Sequence, residues 1–186
     1  MSTERGTAGQ TVGPFFGTAL PYAGGAELVP RAHPDAVHLH GRVLDGAGVP
    51  VPDAMLEIWQ PAQDGSVPAT GGSLHRDGWT FTGWGRAATD GAGNYSFSTV
   101  VPALPPSGGL PFLAMTVFAR GLLDRLLTRV YLPTPDRSTG DDAFLSSLPD
   151  ERRGTLLAEP DEQGFRFDVV LQGHNETVFL DFRNSR

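Results

Sequence analysis

The chain has 186 residues, of which 39% are hydrophobic, enough for one packed core, and its length favours a single domain. Its net charge is −7, its only basic side chains other than histidine are arginines, and it has no basic stripe, which argues against a nucleic-acid-binding protein. Because it has no cysteine, disulfides and thiolate metal sites are excluded. We recognise no signal peptide and no apolar run long enough to span a bilayer, so we expect a cytoplasmic protein.

Residues 1–36 are rich in glycine, proline and small polar residues, which predicts an extended arm instead of a helix. Residues 11–16 interrupt this arm with the compact apolar sequence TVGPFF. An unsupported arm usually frays at a chain terminus. Its aromatic and proline content therefore favours docking on another surface.

From residue 37 onward, apolar side chains alternate with a period of two, which predicts short strands. We expect strands at 37–43, 54–59, 95–99, 113–119, 126–132, 165–171 and 178–182, with glycine-rich turns between many of them. The segment 113–119 is nearly all apolar, as in a strand buried on both faces. The last two strands are separated by a hairpin-length turn at 173–176, and residues 141–158 hold the only expected helical turns.

Strands at this spacing predict an all-β fold, an antiparallel β-sandwich over residues 37–186 preceded by the N-terminal arm 1–36 and carrying one short helical segment. The opening half of the sandwich has a strand, a glycine turn, the sequence PVPDA, a second strand and a DG turn. This order resembles the transthyretin-like sandwich modules.

His38 and His40 are the obvious candidates for metal ligands, because side chains at i and i+2 of a strand point to the same side. A metal site needs at least one further ligand, and the spacing of the sequence supplies none. The simpler interpretation is a pair of solvent-facing residues at the edge of a sheet. An independent metalloenzyme built on this pair is a third, less supported hypothesis.

Arg129 stands within the apolar strand LLTRVYL, where an arginine requires a carboxylate, a ligand or an interface. An ion pair at a sheet edge is an equally good interpretation. Tyr131 is expected on the same face as Arg129, whereas Tyr95 alternates with Phe97 and is expected in the core.

Several stretches resemble the intradiol ring-cleavage dioxygenases, and together they cover most of the chain from about residue 10 to its end. They are TVGPF (11–15), LEIWQ (56–60), GWGR (83–86), FARG (118–121), TRVY (128–131), RRGTL (152–156), FRFD (165–168) and QGHNETVFLDF (172–182). The last two are the most specific and are most similar to the non-iron α chains of the two-chain members.

The resemblance implies a non-haem ferric iron, which the catalytic chains of the family hold with two tyrosines and two histidines. Val67 stands at the place of the first tyrosine, residues 104–106 (LPP) replace the second, and residues 112–114 (FLA) replace the histidine pair. Neither tyrosine nor histidine occurs between residues 96 and 130. The resemblance therefore implies that this chain binds no metal and that a partner β subunit holds the Fe(III).

The family further implies that the arm of this chain reaches the iron pocket of the partner. Matched to the family motif, the residues that would line that pocket are Thr11, Gly13, Pro14, Phe15 and Arg129. Family members often have tyrosine where Phe15 stands. The implied reaction is O₂-dependent cleavage of 3,4-dihydroxybenzoate to 3-carboxy-cis,cis-muconate in a hetero-oligomer, with no catalytic residue in this chain. A stand-alone transthyretin-like binding or structural module is the alternative.

Overall fold

A computed structural model of the chain describes residues 13, 15–68 and 76–182. In this part of the chain the strands are β1 (Val37–Leu44), β2 (Met55–Trp59), β3 (Trp84–Ala88), β4 (Asn94–Thr99), β5 (Phe112–Phe118), β6 (Leu126–Tyr131), β7 (Glu159–Asp161), β8 (Gly164–Arg166) and β9 (Val169–Val170). No helix among these residues is long and apolar enough to cross a membrane.

The strands form two sheets that pack face to face. Sheet I has the order β4-β1-β8-β7, with β9 also paired to β1, and sheet II has the order β3-β2-β5-β6. All pairings are antiparallel except those of β1 with β8 and β9, which are parallel. The expectation of an all-β, mainly antiparallel sandwich is therefore confirmed.

The core lies between the sheets and takes alternate side chains from their strands. Leu39 and Val43 of β1 face Leu56 and Ile58 of β2 across one buried cluster. Strand β5 also alternates: Leu113, Met115 and Val117 are buried in this cluster, whereas Ala114 between them is exposed. The prediction that this strand is buried on both faces is wrong, because its second face forms the outer surface of sheet II.

The predicted C-terminal hairpin is also wrong. The segment 165–171 divides into β8 and β9, because Asp168 leaves the ladder and its Oδ1 accepts from the Arg42 backbone N–H at 2.9 Å. Beyond the turn the chain is not a regular strand. Thr177 N–H donates to the Val170 carbonyl (3.0 Å), and Leu180 N–H donates to the Leu127 carbonyl (2.7 Å). The end of the described chain thus runs from β9 to the free edge of β6.

The helical turns predicted within 141–158 are confirmed, although they are short. A 3₁₀ turn (Thr139–Asp141) leads into α2 (Ala143–Ser146), which is followed by α3 (Asp150–Gly154). Asp142 begins α2 by accepting hydrogen bonds from the Phe144 and Leu145 N–H groups. These turns cover a second small core made of Leu110, Tyr131, Leu145 and Leu156. A further single-turn helix, α1 (Phe16–Ala19), lies in the arm and was not predicted.

Strand β3 was not predicted either, because its sequence WGRAA has no clear alternation of apolar and polar residues. Gly85 within it is needed for packing: a Cβ at this position would overlap Leu28 Cδ1 of the arm. The close contact allows the arm to cover the edge of sheet II.

Candidate functional site

The second half of the arm is docked on its own sandwich. Phe16 and Leu28 are buried, so this segment belongs to the packed part of the molecule. The Arg86 N–H donates to the Gly25 carbonyl at 2.8 Å, and the Leu28 N–H donates to the Ser98 carbonyl at 2.8 Å. The arm therefore covers the edges of β3 and β4.

Arg86 is the main polar link between the arm and sheet II. Its Nε and Nη2 donate to the same oxygen of Glu57 at 2.9 and 2.6 Å, and both side chains are mostly buried. Its Nη1 donates to the carbonyl of Leu20, directly after α1, at 2.8 Å. The guanidinium carbon lies 5.0 Å from the ring centroid of Trp84. Arg86, itself in β3, thus joins the arm at Leu20 to Glu57 of β2.

Replacing Arg86 with alanine is expected to lower the free energy of unfolding by about 3 kcal/mol, because the Glu57 carboxylate loses its partner in a mostly buried place. Urea-induced unfolding of the purified variant measures this loss. Arg120→Ala is the matched control: Arg120 pairs with Asp53 but its side chain is 70% exposed, so less than about 1 kcal/mol is expected. Equal losses in the two variants would contradict this assignment.

Gly13 and Phe15 precede the docked part of the arm. Gly13 has a φ of +83°, which a residue with a Cβ adopts only at a cost. Phe15 is 73% exposed, whereas the next residue, Phe16, is 4% exposed. An exposed phenylalanine at the point where the arm leaves the sandwich is available to another surface. Thr11 and Pro14 lie outside the described residues.

Arg129 lies on the outer face of sheet II, in β6. In register it is opposite Ala114 of β5, and Ala114 is in turn opposite Trp59 of β2. Arg129 Nη1 donates to the hydroxyl of Tyr131 at 3.0 Å, which confirms that the two side chains share a face. Among the described residues no ion pair of Arg129 is found, so the expected alternative of an ion pair at a sheet edge is not supported.

Of the positions where the family resemblance would place iron ligands, those in β5 lie on this face, and the others lie in the loops that follow β2 and β4. Phe112 and Ala114 alternate with the core residues of β5 and have no donor atom, and Val67 and Leu104 are exposed apolar side chains. In the described part of the chain no three histidine, aspartate or glutamate side chains come close enough to hold a metal ion. The side chains at these positions do not fit a ferric ion, because none of them has an oxygen, nitrogen or sulfur atom to donate.

Gln60 fixes the start of the two loops that carry Val67 and Leu104. Its side chain is buried at the end of β2, where Oε1 accepts from Thr99 Oγ1 (2.7 Å) and Nε2 donates to the Val100 carbonyl (2.9 Å). These bonds join the ends of β2 and β4 across the two sheets. The loops that begin at Pro61 and Val101 therefore start from a rigid point.

His38 and His40 lie on the outer face of sheet I, with ring centroids 5.4 Å apart. They are not at an edge, because β1 is an internal strand of sheet I. His40 Nε2 contacts the Asp161 carboxylate at 3.0 Å. Burial, with smaller contributions from Arg31 and His40, lowers the pKa of His38 below its ordinary value. His40 therefore joins β1 to the β7–β8 hairpin, whereas His38 Nε2 has no hydrogen-bond partner among the described residues.

Comparison with known proteins identifies the family of the chain. Residues 13–108 match the family Dioxygenase_C, described as Dioxygenase. The protocatechuate 3,4-dioxygenase alpha chain of Burkholderia cepacia is 37% identical over 97% of this chain and 100% of its own length. The chain belongs to the intradiol dioxygenase family. The alpha chain of Pseudomonas putida is 33% identical over 95% of this chain and 96% of that protein.

The protocatechuate 3,4-dioxygenase beta chain of Burkholderia cepacia is 30% identical, but over 74% of this chain and 64% of that protein. Among solved structures, the dioxygenase domain of a carbohydrate-binding fusion protein from Streptomyces sp. SirexAA-E is 25% identical, with a TM-score of 0.56. The alignment covers 90% of this chain and 99% of that domain. This member of the intradiol dioxygenase family is thus similar to alpha chains along nearly its whole length and to a beta chain along part of it.

Sequence reasoning singled out Arg129 but missed the residues that hold it and those that hold the arm. Glu57 carries no chemical signal of its own in the sequence, yet it pairs with Arg86 in the next strand. Asp142 likewise has no distinguishing sequence pattern, although it is buried beneath Tyr131. One usable signal was present: Glu57 and Arg86 both fall within stretches similar to the family, LEIWQ and GWGR.

Proposed function

We propose that this chain is the iron-free α subunit of a protocatechuate 3,4-dioxygenase. In this proposal a partner β subunit holds the Fe(III), and the complex cleaves 3,4-dihydroxybenzoate with O₂ between its two hydroxyl-bearing carbons. The product is 3-carboxy-cis,cis-muconate, and both oxygen atoms enter it. This chain shapes one wall of the substrate pocket and supplies no catalytic residue.

The observation that carries the proposal is the end-to-end similarity to an α chain, which covers 97% of this chain and 100% of the relative. The β chain is matched only over 64% of its length. The side chains at the ligand positions agree with this choice, because the methyl group of Ala114 and the ring of Phe112 offer no electron pair to a metal.

The proposed contribution of this chain has two parts. Gly13 and Phe15, with Thr11 and Pro14, would extend from the docked arm into the partner's pocket and exclude water from the aromatic ring of the substrate. Arg129 would place a positive charge near the substrate carboxylate, which this chain's net charge of −7 would otherwise disfavour. Both parts act on position and electrostatics, and neither moves a proton or an electron.

Purified alone, the chain is expected to contain far less than about one iron per molecule, because none of its matched positions has a ligand atom for a ferric ion. Elemental analysis of the isolated chain checks this expectation. When the chain is co-expressed with a β subunit, the complex is expected to copurify with stoichiometric iron.

Stoichiometric, tightly held iron in the isolated chain would contradict the proposed division of labour. Failure to copurify with any β-type subunit would instead favour the alternative of a stand-alone transthyretin-like binding or structural module. The double substitution of His38 and His40 by glutamine is the matched control, since iron retained by the wild-type chain but lost from this variant would locate the metal at that pair.

A further inference from the structure

Three elements converge on the guanidinium of Arg129. Its central carbon lies 4.4 Å from the ring centroid of Phe112 in β5 and 5.3 Å from that of Phe144 in α2. One of its nitrogens donates to the Tyr131 hydroxyl at 3.0 Å. Cation–π contacts restrain the plane of the guanidinium, and the hydrogen bond restrains its rotation within that plane.

The Tyr131 hydroxyl is itself oriented by Asp142. Tyr131 is fully buried, and its oxygen lies 3.5 Å from Oδ1 of Asp142, which is also buried. The same Oδ1 accepts from the N–H groups of Phe144 (3.0 Å) and Leu145 (2.9 Å). A guanidinium only donates and a carboxylate only accepts, so the phenol must accept from Arg129 and direct its proton toward Asp142. Burial raises the pKa of Tyr131, which keeps that proton in place.

This arrangement leaves the charge of Arg129 available. Arg129 donates to the neutral phenol of Tyr131. The Asp142 carboxylate lies on the other side of that phenol, where it accepts hydrogen bonds from the first N–H groups of α2. Among the described residues, no carboxylate is ion-paired with Arg129. A guanidinium that is fixed by rings and a phenol retains donors and a net positive charge for a ligand carboxylate.

We infer that Tyr131, oriented by Asp142, is a positioning residue that holds the Arg129 guanidinium toward the carboxylate of an aromatic acid in the pocket shared with the partner chain. The inference rests on the proposed function. It adds an explanation of specificity. Arg129, which would favour a carboxylated ring, is positioned by a chain of hydrogen bonds that runs from Asp142 through Tyr131 to the outer face of sheet II.

Tyr131→Phe in the complete α/β complex tests this inference, because it removes the hydroxyl and keeps the ring. We expect KM for 3,4-dihydroxybenzoate to rise about fivefold with little change in kcat. The inhibition constant of catechol, which has the same diol but no carboxylate, is expected to stay unchanged. Arg129→Ala should raise KM at least as much, and adding Tyr131→Phe to it should have no further effect.

Tyr95→Phe is the matched control. Tyr95 is also a buried tyrosine whose hydroxyl donates to a fixed acceptor, the Phe167 carbonyl at 2.6 Å, but it belongs to sheet I. This variant should lower the melting temperature and leave KM for both ligands unchanged. A purely structural role of Tyr131 predicts the same behaviour for Tyr131→Phe.

The outcomes separate the two proposals. If Arg129→Ala raises KM for the acid while Tyr131→Phe does not, the positioning role is overturned and the proposed function stands. If Tyr131→Phe weakens the binding of catechol and of the acid equally, the positioning role is likewise overturned. If Arg129→Ala changes nothing, both the role of Arg129 in the proposed function and the inference built on it fail.

Discussion

Removal of residues 1–14 is expected to lower kcat/KM of the α/β complex about 100-fold while its iron content remains that of the intact complex. The cut lies before Phe15 and the buried Phe16, so the docked part of the arm and its bonds to Arg86 remain. On the proposed function, the reason for the loss is positional: the substrate would keep the partner's iron but would lose the wall that aligns its ring. Steady-state kinetics and iron analysis of the same preparation measure both quantities.

The control for this deletion is a shorter one, the removal of residues 1–10. It leaves the sequence TVGPF intact and is expected to change kcat/KM by less than about twofold. The pair of deletions confines the effect to residues 11–14. Loss of iron from the longer deletion would show that the arm maintains the metal site itself, contrary to the proposed division of labour.

Replacement of Gly41 with alanine is expected to destabilise the fold by about 4 kcal/mol or to prevent its accumulation. Gly41 lies in the middle of β1, where an added Cβ would overlap the carbonyl oxygen of Phe167. That carbonyl cannot withdraw freely, because it accepts the Tyr95 hydroxyl at 2.6 Å. The substitution would therefore separate β8 and β9 from β1. The urea midpoint, or the yield of soluble protein, measures the effect.

Gly91→Ala is the matched control for this substitution. Gly91 lies in a turn, has no positive φ, and an added Cβ there would meet no atom within 4 Å. We expect a change in the free energy of unfolding of less than about 0.5 kcal/mol. A loss as large as that of Gly41→Ala would mean that a general effect of removing glycine, rather than the contact with Phe167, is responsible.

Much of the fold follows from local alternation, and those parts were predictable. In strands β1, β2, β4 and β6 the side chains that face the main core recur at every second position, because successive side chains of a strand point to opposite faces of the sheet. Family membership was also readable, since it depends on residue identity along the chain. The domain limits 1–36 and 37–186 and the pocket residues stay predictions.

Other parts depended on contacts between distant residues. Nothing local in WGRAA indicates β3. Gly85 is required by the close packing of Leu28, and Arg86 pairs with Glu57, and both partners lie far away in the chain. The hairpin predicted after residue 172 fails for a related reason. The same apolar residues satisfy either a hairpin or the observed path along β6, and only the free edge of sheet II selects between them.

The sequence by itself determined the sandwich class and the family, because these depend on side-chain periodicity and identity. Only the tertiary structure decided how Arg129 is held and where the arm is anchored. Phe112, Tyr131, Asp142 and Phe144 come together around one guanidinium from separate elements. Such a cluster has no periodic signature, since its members are neighbours through packing and hydrogen bonding across the fold and not through spacing along the chain.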